Sequence, residues 1–176
     1  ADHASALHSK LAVESRAYPL FRFDPYAGET LQECIDIEGN PALEEDWPSY
    51  RLKYEEEDQE KELEVPMTFV DFAVTEGRFR KHFRKAPPET WNDDMVPLAE
   101  FIDLDPDDRE GRYPYIWGVD AKDRLMRVMV SEELVRSTEE RRRYWRQLKS
   151  LAGQYKVEDV EALVSRTKAE MAQKLT

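Results

Sequence analysis

The sequence SYRLKYEEEDQEKELEV, residues 49–65, contains the pattern that decides the fold. Its first six residues alternate polar and large apolar side chains, and Leu63 and Val65 resume the alternation after an acidic run. Successive side chains of a strand point to opposite faces, so a period of two predicts a strand. We therefore expect strands at 49–54 and 61–65, joined into a hairpin by the acidic residues 55–60.

Two other parts of the chain are typical of strands. Residues 113–119 and 124–130 flank the turn sequence DAKD, which predicts a second hairpin. The run 30–37 also alternates, and the following EGNP ends it. We expect a strand there, and an extended segment at 20–23 after Pro19.

Helical spacing of apolar residues surrounds these strands. It predicts helices at about 4–17 and 96–102, and another that begins at the N-cap Thr68, is broken or kinked at Gly77 and carries its basic residues on the outer face as far as Lys85. The chain closes with a helix from Ser131 to Gly153 and another at 157–174. The expected fold class is α+β, with two short antiparallel hairpins packed against helices and a C-terminal helical pair, all in one domain covering 1–176.

Composition limits the function classes. The chain has 26 basic and 38 acidic side chains and a formal net charge of −12, which disfavours binding to nucleic acid or anionic membranes. No run approaches the roughly 20 apolar residues that span a bilayer. The single cysteine, Cys34, excludes an internal disulfide and a zinc or iron–sulfur site built from this chain alone. We expect a cytoplasmic protein in which Cys34 is a buried structural thiol.

No motif predicts a complete active site. The acidic turn 103–110 lacks the Gly and Glu of an EF-hand loop, the three histidines are not spaced as metal ligands, and there is no Gly-x-Ser-x-Gly or Gly-rich phosphate loop. We therefore assign no catalytic, cofactor-binding or metal-binding residue to this chain.

Two basic runs, 78–85 and 141–146, leave two interpretations open. They form ion pairs with this chain's own acidic hairpin or with a neighbouring domain, or they dock an acidic partner. The candidate partner-binding residues are Arg141, Arg142, Arg143 and Arg146.

The sequence SKLAVESRAYPLFRFDP, residues 9–25, resembles a segment of the pyruvate:ferredoxin (flavodoxin) oxidoreductases. In that family a helix reading roughly Ala-Val-x-Ser-Gly-Tyr-Trp leads into Pro-Leu-Tyr/Phe-Arg-Tyr/Phe-Asp/Asn-Pro, just after the thiamine-binding domain. Residues 38–41 loosely resemble the Gly-Lys-Asn-Pro that follows. The chain departs from the family at Arg16-Ala17, where Gly-Tyr is usual, and in a longer insertion at 26–37.

The resemblance implies a parent enzyme that decarboxylates a 2-oxoacid, pyruvate first among the candidates, and forms acyl-CoA. It passes the electrons through iron–sulfur clusters to ferredoxin or flavodoxin, and it uses thiamine diphosphate with Mg²⁺. The family's motifs for those cofactors lie outside the matched stretch. The resemblance thus makes this chain a structural C-terminal region, which contacts the remaining domains of the parent or a second copy in a homodimer.

Within that interpretation, residues 1–25 connect to a preceding domain, 26–130 form the mixed body and 131–176 the helical pair. Aromatic side chains suit burial between domains. The expected interdomain contacts are Tyr18, Phe21, Arg22 and Phe23. The alternative hypothesis is a free-standing acidic adaptor domain that binds proteins through its Arg-rich helix.

Overall fold

The computed structural model describes residues 2–154 and 157–175, and it has the expected α+β class. Single 3₁₀ segments lie at Gly77–His82, Pro88–Thr90 and Pro106–Arg109. In chain order the helices and strands of the described residues are α1 (Asp2–Glu14), β1 (Arg22–Phe23), α2 (Leu31–Cys34), β2 (Ile35–Asp36), β3 (Ser49–Glu56), β4 (Gln59–Pro66), α3 (Phe69–Ala73), β5 (Phe83–Ala86), β6 (Met95–Pro97), α4 (Leu98–Phe101), β7 (Tyr113–Val119), β8 (Leu125–Val130), α5 (Glu132–Leu151) and α6 (Val157–Lys174).

The hairpin predicted from the opening sequence is confirmed. Strands β3 and β4 pair antiparallel from Ser49↔Pro66 to Glu56↔Gln59, so each strand extends into the acidic run. The two turn residues, Glu57 and Asp58, both have positive φ, at 53° and 59°, which matches the right-handed twist of a hairpin.

The second hairpin, β7–β8, is also confirmed, and it forms the centre of a four-stranded sheet with the order β5-β8-β7-β6. The carboxylate of Asp120 accepts hydrogen bonds from the backbone N–H groups of Lys122 and Arg124, which fixes the turn. The two outer strands were not predicted. β5 runs antiparallel to β8, and β6 runs parallel to β7.

The predicted helix from Thr68 to about Lys85 is wrong in its second half. The cap is correct, because the Asp71 carboxylate accepts the backbone N–H of Thr68 at 2.7 Å, but α3 ends after five residues. Glu76 is extended, a 3₁₀ segment follows, and the chain then enters β5. The basic run 78–85 is therefore not one helical face. The helix expected at 96–102 is shorter too, since it begins only at Leu98.

The predicted strand at 30–37 is also wrong, for a local reason. Thr30 and Glu33 form a reciprocal capping box, in which the Glu33 carboxylate accepts the Thr30 N–H at 2.9 Å. The same carboxylate oxygen, Oε2, also accepts a hydrogen bond from the backbone N–H of Glu29 at 2.8 Å. These bonds favour one helical turn, α2, over an extended chain. Only Ile35 and Asp36 are extended, and they pair with β1.

The larger core lies where α3, α4 and α5 pack on the sheet, and it contains Val70, Leu98, Phe101, Val130 and Leu134. The predicted cap of α5 is present, since the Ser131 hydroxyl accepts the backbone N–H of Leu134. Gly153, with φ at 70°, follows its last turn as expected.

A smaller core cluster consists of Ile37, Trp145 and Leu148. Trp145 is fully buried on α5, and Ile37 follows β2. This cluster therefore holds the N-terminal third of the chain against α5. The candidate functional surface begins beside it.

Helix α6 occupies the predicted range. Every side chain described for it, from Val160 onward, is exposed to solvent. Among the described residues, no helix is long and apolar enough to cross a membrane.

Candidate functional site: an aromatic surface

Five large apolar side chains between α1 and α2 point into solvent. Their exposed fractions run from 51% for Leu20 to 94% for Tyr26. We call this set the aromatic surface: Tyr18, Leu20, Phe21, Phe23 and Tyr26. Three of its members were expected to be interdomain contacts from the sequence, as was Arg22, whose exposed guanidinium lies 3.8 Å from Asp36. Large exposed apolar patches on a folded protein mark interaction sites.

The backbone beneath the aromatic surface is held in place by Asn40. Its side-chain carbonyl accepts the Leu20 N–H at 2.7 Å, and its amide donates to the carbonyls of Leu20 at 2.6 Å and Ile37 at 2.7 Å. Asn40 is itself buried. Asn40 thus fixes the backbone at Leu20, and the pairing of β1 with β2 fixes it at Arg22 and Phe23, while the side chains remain outside.

The start of the same segment is anchored by Arg16, which is fully buried. Its guanidinium donates to the carbonyls of Ala42 at 2.9 Å, Asp46 at 3.1 Å and Glu45 at 3.4 Å. It also stacks 3.8 Å from the ring centre of Trp145. Burial lowers the pKa of Arg16 to about 10, partly offset by the charge of Asp46, so the side chain stays protonated at neutral pH.

The backbone of Arg16 is unusual. Its φ is 59°, in the left-handed region that favours glycine, and this conformation ends α1 and redirects the chain into the aromatic surface. Arg16 therefore occupies a glycine-type site and compensates with side-chain bonds that glycine lacks.

Tyr18 connects this segment to α3. Its ring meets the buried Phe72 edge to face, with the ring centres 5.9 Å apart. His8 of α1 lies 5.1 Å from the same Phe72 ring and 3.0 Å from the Glu76 carboxylate. One side of Tyr18 is thus packed, and the other faces solvent.

The structure uses three of the four candidate arginines of α5 internally. Arg141 donates to the Ala17 carbonyl at 3.4 Å, and Arg142 binds Asp103 and the Ile102 carbonyl. Arg146 forms a two-pronged ion pair with Asp46. Arg143 is exposed. Of the two interpretations of this run, intramolecular pairing describes most of it, although the partners are Asp46 and Asp103 rather than the acidic hairpin.

Asp46 connects the arginine anchor to α5. Burial opposes its ionisation, but the hydrogen bond and charge of Arg146, together with the charges of Lys149 and Arg142, lower the pKa of Asp46 overall. Its carbonyl accepts from Arg16 while its carboxylate binds Arg146. The loop 42–46 is therefore held by cations from two elements.

The sheet carries a half-buried cation, Arg127. The guanidinium carbon of Arg127 lies 4.4–5.1 Å from the ring centres of Tyr115, Trp91 and Trp117. The aromatic box is filled by this chain's own arginine, so it stabilises the sheet.

Two groups of the kinds that catalyse reactions, Cys34 and Asp71, make contacts within the chain itself. Cys34 is buried as expected, with its Sγ 3.6 Å from the Gly28 carbonyl. Burial raises the pKa of Asp71 to about 6, although hydrogen bonds from Thr68 and Tyr50 oppose the shift. The cavity beside Asp71 measures about 30 Å³, enough for roughly one water molecule. The described residues contain no cluster of three or more His, Cys, Asp or Glu side chains that could hold a metal.

Sequence reasoning missed the two residues that organise the aromatic surface. Nothing local marks Asn40 or Arg16 as anchors, because all of their partners except Ile37 lie 20 to 30 residues away in the chain. No family model matches this chain, and no curated protein or solved structure matches it either.

Proposed function

We propose that this chain is a non-catalytic docking region of a cytoplasmic 2-oxoacid:ferredoxin oxidoreductase, with pyruvate the expected substrate. It packs its aromatic surface against the preceding domain of the parent enzyme, which carries thiamine diphosphate, Mg²⁺ and the iron–sulfur clusters. The observation that carries the docking role is the fixed backbone beneath five exposed apolar side chains.

A segment that is already ordered docks at a lower cost in free energy. Ordering a loop at an interface consumes binding free energy, and a segment already held in its bound conformation avoids that cost. Asn40 and Arg16 supply six hydrogen bonds to backbone groups in and around this segment. Such anchoring suits a surface that must present its side chains in a defined arrangement.

The link to the oxidoreductase family rests on the resemblance of residues 9–25. The left-handed φ of Arg16 supports it, because the family's glycine at this position suits the same backbone. The matched sequence and the aromatic surface are also the same segment of chain.

The alternative, an acidic adaptor that binds through its Arg-rich helix, has weaker support. Arg142 and Arg146 would have to leave Asp103 and Asp46 to reach a partner. Breaking these two internal ion pairs costs free energy, and exposed ion pairs with a partner contribute too little to offset that cost.

The first test is the size of the native polypeptide, detected in source-cell extract with antibodies to this chain. We expect a band several times larger than 20.7 kDa and purified protein with thiamine-dependent 2-oxoacid oxidation. A band at the chain's own mass, without a thiamine-binding partner that co-purifies, would contradict the oxidoreductase assignment.

The docking role is tested in the purified native protein with the double variant Phe21→Ser/Phe23→Ser. We expect faster proteolysis between this region and the rest of the protein, because the exposed rings no longer bury against it. Tyr113→Ser is the matched control, since Tyr113 is equally exposed but lies on β7, outside the aromatic surface. Equal proteolysis of the two variants would refute the docking role while leaving the family assignment intact.

A further inference from the structure

Helix α6 exposes an apolar stripe. Val160, Val164 and Met171 recur at intervals of four and seven, and Thr167 occupies the remaining position of the same stripe. The exposed fractions of Val160, Leu163, Val164 and Met171 lie between 45% and 65%. This spacing is that of the a and d positions of a coiled coil.

A helix of 18 residues is marginally stable in water unless an amphipathic face is covered. Here the apolar face is solvent-exposed along its described length. The charged residues beside the stripe indicate which surface covers it.

Glu161 and Lys168 flank the stripe on the same side. They are seven residues apart, two helical turns, so both occupy the same heptad position beside the apolar seam. Within α6, Glu161 lacks a basic residue and Lys168 an acidic residue at a spacing of three or four. The one ion pair found in the described part of α6, Arg166 with Glu170, uses neither of them.

We propose that α6 pairs antiparallel with α6 of a second copy of this chain. In an antiparallel pair, Glu161 of each copy faces Lys168 of the other, so the twofold axis makes the ion pair twice. The same register sets Val160 against Met171 and Val164 against Thr167, which closes the apolar stripe.

The charges favour this orientation over a parallel one. In a parallel coiled coil, the flanking position of Lys168 lies opposite that of Leu163 in the second helix, and neither Glu161 nor Lys168 finds the other. The antiparallel arrangement is the one that converts this pair of unmatched charges into two contacts. The interface is short, so the association is concentration-dependent and sensitive to salt.

The test is sedimentation equilibrium of the whole chain over a range of concentrations at low ionic strength. We expect self-association that Val164→Asp abolishes, because a carboxylate enters the apolar stripe. Ala162→Asp adds the same charge on the opposite face of α6 and is expected to leave association unchanged. Phe21→Ser/Phe23→Ser should also leave it unchanged, which separates this interface from the aromatic surface.

The orientation is tested by charge exchange. Glu161→Lys sets lysine against lysine twice and is expected to weaken association about tenfold, on the scale of two exposed ion pairs. The double variant Glu161→Lys/Lys168→Glu restores the opposite charges and should recover wild-type association. Circular dichroism at concentrations where every variant is monomeric should show equal helix content, because residues 161 and 168 are both exposed in the single chain.

Three results would overturn the proposal. A wild-type chain that stays monomeric at every concentration excludes the pairing. Association that persists in Val164→Asp places the interface elsewhere. A double variant as weak as Glu161→Lys excludes the antiparallel register.

Discussion

Arg16 should reverse the usual ranking of alanine and glycine. At an ordinary helical position, glycine destabilises a protein by about 0.5–1 kcal/mol relative to alanine. Position 16 has φ at 59°, where any residue with a Cβ is strained. We therefore expect Arg16→Gly to be more stable than Arg16→Ala, although both are less stable than the wild type.

The size of the difference follows from two opposing terms. The left-handed conformation costs a non-glycine residue about 1–2 kcal/mol. The greater freedom of glycine in the unfolded chain offsets about 0.4–1 kcal/mol of that. Arg16→Gly should thus exceed Arg16→Ala by roughly 0.5–1 kcal/mol in free energy of unfolding.

Both variants lose the same side-chain contacts. They give up three hydrogen bonds from a charged donor and the stacking on Trp145. Hydrogen bonds to charged groups contribute about 1.5–3 kcal/mol each, and the desolvation of Arg16 offsets part of that. We expect Arg16→Gly to lose about 2–4 kcal/mol.

Urea unfolding followed by tryptophan fluorescence and circular dichroism measures both differences. The matched control is Arg143, which is exposed in the middle of α5, where the glycine variant should be less stable than alanine by about 1 kcal/mol. If alanine equals or exceeds glycine at position 16 as it does at position 143, the left-handed anchor is refuted.

Three other variants test the interior of the fold. Burial raises the pKa of Asp71 from 3.8 to about 6, so the folded state favours the protonated carboxyl. The stability that this preference contributes is present below pH 4 and is lost as the pH rises through 6. The advantage of wild type over Asp71→Asn in urea unfolding should therefore fall by about 2 kcal/mol between pH 4 and 6.5, and a constant difference would contradict it. Arg127→Met should lower the unfolding free energy by about 1–2 kcal/mol and alter tryptophan emission, whereas Arg127→Lys should retain part of both. Thr30→Ala should cost about 1 kcal/mol and speed amide hydrogen exchange at 31–34, because the capping box is lost.

Signals confined to a few neighbouring residues predicted the correct elements. The alternation of residues 49–65 specified β3 and β4, and the caps Ser131 and Gly153 delimited α5. In the same way, the turn at Asp120 specified the β7–β8 hairpin. Each of these features depends on contacts between residues close in sequence or on one dominant period.

Elements that depend on distant partners were mispredicted. β5 has four residues and exists because β8 pairs with it from 41 to 47 residues away, so its sequence reads equally well as the end of a helix. The turn α2 was missed for another reason, since alternation at 30–37 outweighed the Thr30 and Glu33 capping box. The second failure comes from reading one local signal where two competed.

The candidate site divides in the same way. Tyr18, Phe21 and Phe23 were predicted as interdomain contacts because the matched segment carries them, and in the single chain their rings are exposed. The anchors beneath them were not expected, since Asn40 and Arg16 act through backbone carbonyls that no sequence pattern marks. The surface is visible in the sequence, and its rigidity is visible only in three dimensions.

The buried anchors and the exposed rings together indicate why this segment has its conformation. Burying a guanidinium or an amide is unfavourable unless its hydrogen bonds are made inside. A segment that only had to cover the core would turn its rings inward and need no such anchors. This chain instead buries the polar side chains of Arg16 and Asn40 and leaves the neighbouring aromatic side chains in solvent. The arrangement inverts the usual sorting of polar and apolar groups at one place in the fold. It is intelligible if those aromatic side chains are buried in the assembled protein, where a fixed backbone lowers the cost of docking.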